Sequence, residues 1–180
     1  MKYISQLIRE IIPVIIGILI ALVINNWNEN RKDSIYLNQI YDSIEKELKE
    51  SNSNIKETIP KQQVLLDNID MYLKDETVSL IDIVKKTNDG VSFATIKNNS
   101  WKSIANSKIE LISFEKLSAL TDIDEGKESL NLKNEKILDF MYNNLKETSQ
   151  DKKEVLKLLI TDIKWTEENL QSKIEDLIKE

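Results

Sequence analysis

The sequence has no cysteine and no histidine, and only three glycines and two prolines in 180 residues. Lack of cysteine removes disulfides and thiol chemistry, and fits an extracytoplasmic location. Zinc and di-iron sites lean on cysteine or histidine, and a Glu-x-x-His motif needs histidine. Both kinds of metal centre are therefore excluded, and no cofactor is expected. The few glycines form no Walker or Rossmann phosphate-binding pattern. Arginine is scarce too, outnumbered by lysine 2 to 23.

Charge narrows the partners further. Residues 1–30 carry Lys2 and Arg9 against Glu10 and Glu29, so the whole net charge of −6 belongs to residues 31–180. An acidic part with scattered lysines repels nucleic acid and offers anionic lipid no polybasic patch.

What the sequence does have is one long apolar run. Ile11 to Ile24 are fourteen uncharged positions, eleven of them Ile, Leu or Val, apolar on every side. Such a run can be a membrane span, a signal-peptide core or a buried helix. The flank disfavours cleavage, because Asn-Asn-Trp-Asn-Glu-Asn-Arg-Lys follows Ile24 where signal peptidase needs small residues. Eleven Ile, Leu and Val residues contribute roughly −3 to −7 kcal/mol to insertion. Arg9, Glu10, Asn25 and Asn26 lie near the ends, where side chains reach the interface. Pro13 is expected near the helix start, where its missing N–H costs nothing.

An uncleaved single-span anchor over residues 1–30 follows, with membrane lipid as a partner. Trp27 is the candidate interfacial anchor, with Arg31 and Lys32 beyond it. Gly17 and Ala21 form a small-xxx-small pair, the candidate membrane-helix interface for a homodimer, although such pairs also arise by chance.

Residues 31–180 are enough for one domain with a real core. Leu37, Tyr41, Ile44, Leu48 and Ile55 recur at helical steps, with Ser51 in the one polar slot. This helix is expected to continue out of the span and to end or kink near Ile59, ahead of Pro60. Val64, Leu65, Ile69 and Tyr72 or Leu73 mark a second stretch. A shorter one with Val78, Ile81 and Val84 to Lys85 facing inward stops at Asn88-Asp89-Gly90.

Residues 91–112 are the least regular, with a short helix expected at Trp101 to Ser107. Ser113 is the expected N-cap of a helix on which Phe114, Leu117 and Leu120 share a face. Leu130, Ile137, Phe140, Met141 and Leu145 continue helical spacing past Gly126. A last helix over about residues 151–179 aligns Leu156, Leu159, Ile163, Leu170, Ile174 and Leu177. The fold class expected is all-α, an N-terminal transmembrane helix continuing into an antiparallel helical bundle.

No catalytic constellation stands out. Asp122-Ile-Asp124-Glu-Gly126 fails as a calcium loop, because Lys127 falls on the glycine position and Lys133 where a bidentate Glu is needed. Carboxylate pairs such as Glu167-Glu168 fit solvated helix faces, and Ser113 to Lys116 reads as a cap. Trp101 is the only tryptophan away from the span and the last helix, with Asn98, Asn99, Ser100 and Asn106 around it. It is the candidate partner contact, since binding residues concentrate on loops held by a scaffold. The alternative is that its indole caps the bundle core.

The stretch "EIIPVIIGILIALVINNWNENR", Glu10 to Arg31, resembles the N-terminal signature of small single-span bacterial membrane proteins common in Bacteroidetes, grouped as a domain of unknown function. "SWKSIANSKIELIS", Ser100 to Ser113, is similar to a later segment of that family. The resemblance implies an anchor plus a helical domain and no established activity. The function expected is a non-catalytic, membrane-anchored interaction module, either a subunit of an envelope complex or a partner-dependent sensor. The alternative is a membrane-tethered enzyme with an unrecognised carboxylate or Ser/Lys site.

Positive charges near the span are almost balanced, Lys2, Arg9 and the terminal amine against Arg31, Lys32 and Lys46. The basic N-termini of the resembling family tip the orientation toward a cytoplasmic N-terminus, in the inner membrane, with the helical domain outside. Protease added to intact spheroplasts should then digest residues 31–180; full protection would reverse the orientation.

Overall fold

A computed structural model describes residues 2–179, with side chains from Ile11 onward. The described residues are all-helical and contain no strand. The helices are α1 (Lys2–Met71), α2 (Leu80–Lys85), α3 (Asn99–Ala105), α4 (Phe114–Asn144) and α5 (Gln150–Lys179), with a 3-10 turn at Ile109–Leu111. The chain divides into two compact units, residues 1–42 and 43–180, so the division falls inside α1. The apolar run ends at Ile24, six residues before the expected boundary at residue 30, and the first buried side chain of α1 comes only at Ile44.

In the first unit, all residues from Ile11 to Ile24 are exposed, with Ile11 at 45% and Val23 at 67%. This helix is long and apolar enough to cross a membrane, with a mean hydropathy of 2.0 over its most apolar window and none of that window buried. A core helix of similar composition would be covered by its own fold. Pro13 does not lie at a helix start, because α1 begins at Lys2. It takes its own N–H out of the ladder from within the helix.

The second unit begins with the rest of α1. Ile44, Leu48, Ser51, Ile55, Thr58, Gln62, Leu65 and Ile69 are buried at three- and four-residue steps. The helix does not end ahead of Pro60; the two stretches expected on either side are one helix. Pro60 is on the exposed face, where the Lys56 carbonyl that loses its partner can bond water, while Ile55, Thr58, Gln62 and Leu65 hold the helix from the buried side.

A buried ammonium closes the end of α1. Lys153 of α5 is fully buried, and its Nζ donates to the carbonyls of Tyr72 at 3.0 Å and Asp75 at 2.6 Å. These oxygens lie just past the helix end, where the peptide dipoles favour a cation.

α2 starts at a capping box. Ser79 Oγ accepts from the Asp82 N–H, and the Asp82 carboxylate accepts from the Ser79 N–H. Two further N–H groups of its first turn, Leu80 and Ile81, donate to the carbonyls of Glu147 and Leu145. The expected register of this helix is corrected: Leu80 and Ile83 are fully buried, whereas Val78, Ile81 and Val84 are half-buried. Gly90, at φ 64°, supplies the left-handed turn that follows.

α4 passes through Gly126 without a break, and a Cβ there would stand 2.5 Å from Leu170 Cδ2. Gly126 against Leu170 and Lys133 against Asp162 and Thr166 set the pairing of α4 with α5. Leu120, Ile123, Leu130, Ile137 and Met141 face Leu156, Ile160, Ile163, Leu170 and Ile174 as the two buried stripes. Phe114 does not share the inward face; it is 82% exposed in the first turn. Ser113 occupies the N-cap position in an extended conformation, but its side chain makes no capping bond.

An interior proline forfeits about 3 kcal/mol of helix propensity, offset in part by its stiffening of the unfolded chain. Pro60→Ala should therefore stabilise the protein by roughly 1–2 kcal/mol, seen as a higher urea midpoint at unchanged slope. A lower midpoint would mean that the proline is required by its surroundings.

Candidate functional site

The irregular region after Gly90 is an extended segment laid along two helices. From Ala94 to Asn98 burial alternates: Ala94, Ile96 and Asn98 face in, Thr95 and Lys97 face out. That is the period of a β-strand, yet no second strand is present among the described residues to take its N–H groups. Side chains take them instead. Thr95 N–H donates to Asn54 Oδ1 at 2.6 Å and Lys97 N–H to Ser51 Oγ at 2.8 Å. Ala94 N–H donates to Glu167 Oε1 of α5 at 2.8 Å, and Gln62 Nε2 donates to the Ser92 carbonyl at 3.0 Å.

The same device starts α3. Asn98 sits at its N-cap but makes no capping bond. Its side chain turns inward instead, donating to Asp124 of α4 and accepting from Lys127 Nζ at 2.6 Å. The free N–H of Ser100 is taken by Glu47 Oε2 of α1 at 3.0 Å. Lys102 adds an ion pair to Asp124 at 3.3 Å. Partial burial and the nearby Lys102 charge lower the Lys127 pKa, against the pull of Asp124, Glu47 and Glu128.

Trp101 follows one turn into α3. Its indole is 5% exposed and lines a cavity of about 10 Å³ together with Ile44, Leu48, Leu120 and Ile123. That is a core position, offering a partner almost no surface in the folded chain. Of the polar neighbours noted in the sequence, Asn98 and Ser100 join this network, while Asn106 bonds back to its own helix at the Lys102 carbonyl. Gly17 and Ala21 are exposed on the first unit's helix, a Cβ on Gly17 would meet nothing within 4 Å, and Trp27 is 65% exposed.

Sequence reasoning missed Glu167. It is not on a solvated face but fully buried, while its neighbour Glu168 is exposed. The signal was present, since Glu167 lies four residues after Ile163 and three before Leu170, inside the buried stripe of α5. Burial pushes its carboxyl up to about 7; the Ala94 N–H and the Gln62 amide pull the other way, and the Glu168 charge adds to the rise.

Trp165 was also missed. It is 62% exposed on the rim of a groove of about 470 Å³ between α4 and α5, which Lys133, Asn169 and Lys173 also line. Among the described residues, no group of three carboxylates, cysteines or histidines is placed to hold a metal ion. No family profile, curated protein or solved structure matches this chain.

Trp101→Ala should remove a core anchor and cost about 3–5 kcal/mol of stability, measured by urea unfolding followed by circular dichroism. An unchanged midpoint would show that the indole contributes nothing to the core.

Proposed function

We propose that this protein is a membrane-anchored helical interaction module, a subunit of an envelope complex or a partner-dependent sensor. Residues 11–27 cross the inner membrane, and the second unit is an antiparallel bundle outside the cytoplasm. The observation that carries the reading is the exposure of the whole apolar run. Fourteen consecutive residues without charge, all exposed, leave an apolar cylinder that water solvates poorly. Lipid is the cover that fits a helix apolar on every side.

Trp27, exposed at the polar end of the run, suits the headgroup region. Gly17 and Ala21 give one face on which a second copy can approach closely. The α4 and α5 pairs Gly126 with Leu170 and Lys133 with Asp162 run in opposite chain order, which supports the antiparallel bundle. The resemblance of Glu10 to Arg31 to single-span bacterial proteins favours the same arrangement. In the second unit, Tyr142 at 76%, Leu158 at 69% and Trp165 at 62% exposure are side chains of the kind that interfaces cover.

The expected behaviour is retention in the membrane fraction after alkaline carbonate, and release once residues 1–24 are deleted. Extraction of the full chain by carbonate would sink the anchor. Purification in mild detergent should yield a second copy or a stoichiometric protein partner; a bare monomer at native expression would count against the module.

A further inference from the structure

Glu167 is the one fully buried carboxylate among the described residues, and the environment of its two oxygens is unequal. Oε1 accepts the Ala94 N–H at 2.8 Å, whereas Oε2 is buried with no hydrogen-bond partner. Beside it lies the amide of Gln62, itself 1% exposed. Gln62 Nε2 is used on the Ser92 carbonyl, and Gln62 Oε1 is a second buried acceptor without a donor.

No cation answers the carboxylate. On α5, Lys164 bonds Gln63 Oε1 at 2.7 Å and pairs with Glu168, the neighbour that adds negative charge. On α1, Lys61 pairs with Asp89. On α4, Lys133 is taken by Asp162 and Thr166. In the extended segment it is Ala94 that bonds Glu167, and the one charged side chain, Lys97, faces out and pairs with Glu50 of α1.

An ionised Glu167 would thus be a buried charge with one backbone N–H, the Gln62 amide beside it and no cation, a costly arrangement. A neutral carboxylic acid costs far less and carries the O–H donor that the two orphan acceptors lack. We propose that Glu167 is a proton-controlled latch: as the neutral acid it holds the segment Ser92 to Asn98 closed against α1 and α5, and release of the segment releases its proton to water.

The direction of the pH effect follows from linkage. The closed state binds the proton up to about pH 7, whereas a solvated carboxyl loses it near 4.5. Closure is therefore fully supported below about 4.5 and loses that support as pH rises through the folded value near 7. Opening grows easier by up to roughly tenfold per pH unit across this window, then levels off when both states are ionised. Asn54 and Ser51, the other acceptors on the segment's N–H groups, do not titrate.

Hydrogen exchange of the full-length protein in nanodiscs, followed by mass spectrometry from about pH 5 to 8, tests the latch. Rates for a peptide over residues 92–98, divided by the intrinsic rate at each pH, give the opening constant. It should rise with pH and break near 7, while a peptide over residues 130–141 of α4 stays flat. Glu167→Gln, which keeps an acceptor for Ala94 and cannot ionise, should remove the slope. Glu168→Gln should move the break to lower pH.

A flat wild-type profile, an equal slope in the α4 peptide, or a slope surviving Glu167→Gln would overturn the proposal. Should Glu167→Gln not fold, the wild-type profile and the Glu168→Gln shift decide: an unmoved break overturns the latch.

Discussion

An extended backbone buried in a helical protein has no neighbouring strand, so its N–H groups must find acceptors elsewhere or the segment cannot be buried at all. Here α1 presents Glu47, Ser51 and Asn54 about a turn apart, and the segment meets them in reverse order, at Ser100, Lys97 and Thr95. The spacings are similar: three or four helical residues rise about 4.5–6 Å, and two extended residues advance roughly 6.6 Å. Each bond is worth only about 1 kcal/mol net, but an orphaned buried N–H would cost about 1–3 kcal/mol. The position of Ala94, Ile96 and Asn98 in the core, and of Trp101 behind them, depends on this set of side chains.

Among the described residues, the two fully buried ionisable side chains illustrate opposite solutions. Lys153 is surrounded by what an ammonium needs, two carbonyl oxygens at the end of a helix, so its charge joins α5 to the turn after α1. Glu167 has one N–H and an amide, too little to sustain a carboxylate. The lysine is structural because its charge is satisfied, and the glutamate is responsive because a charge there would not be.

Where periodicity alone determines an element, the sequence was readable. Leu120, Leu130, Ile137 and Met141 of α4, Leu156, Ile163, Leu170 and Ile174 of α5 and the irregularity of residues 91–112 follow from spacing and turn chemistry. Ile160, by contrast, is buried in place of the half-buried Leu159 and Leu177, and α2 ends at Lys85, ahead of the expected stop at Asn88-Asp89-Gly90. What was not legible depended on contacts between distant residues. Pro60 obeys its local preference only if nothing holds the helix, and the buried face of α1 does hold it. The register of α2 is set by Leu80 and Ile81 bonding to the carbonyls after α4, which no local pattern encodes. Phe114 has the correct spacing for the core but stands in a turn that nothing covers. Glu167 reads as surface because charge usually is, and Lys153 draws no attention for the same reason, although both fall on the α5 stripe. Trp101 was visible as unusual, but only the contacts of α3 distinguish an anchor from a docking residue.

The acceptors for the extended segment are spread unevenly along the chain, and this gives its closure an order in time. Asn54, Ser51 and Glu47 precede the residues they bind by 41, 46 and 53 positions, whereas Glu167 follows Ala94 by 73. During synthesis at about 5–20 residues per second, the α1 hooks are waiting when the segment emerges, and Glu167 arrives roughly 4–15 s later. A nascent chain can thus lay the segment on α1 first and fasten it when α5 is made. In that interval Ala94 still lacks its acceptor, and the partly assembled unit is joined on one side only.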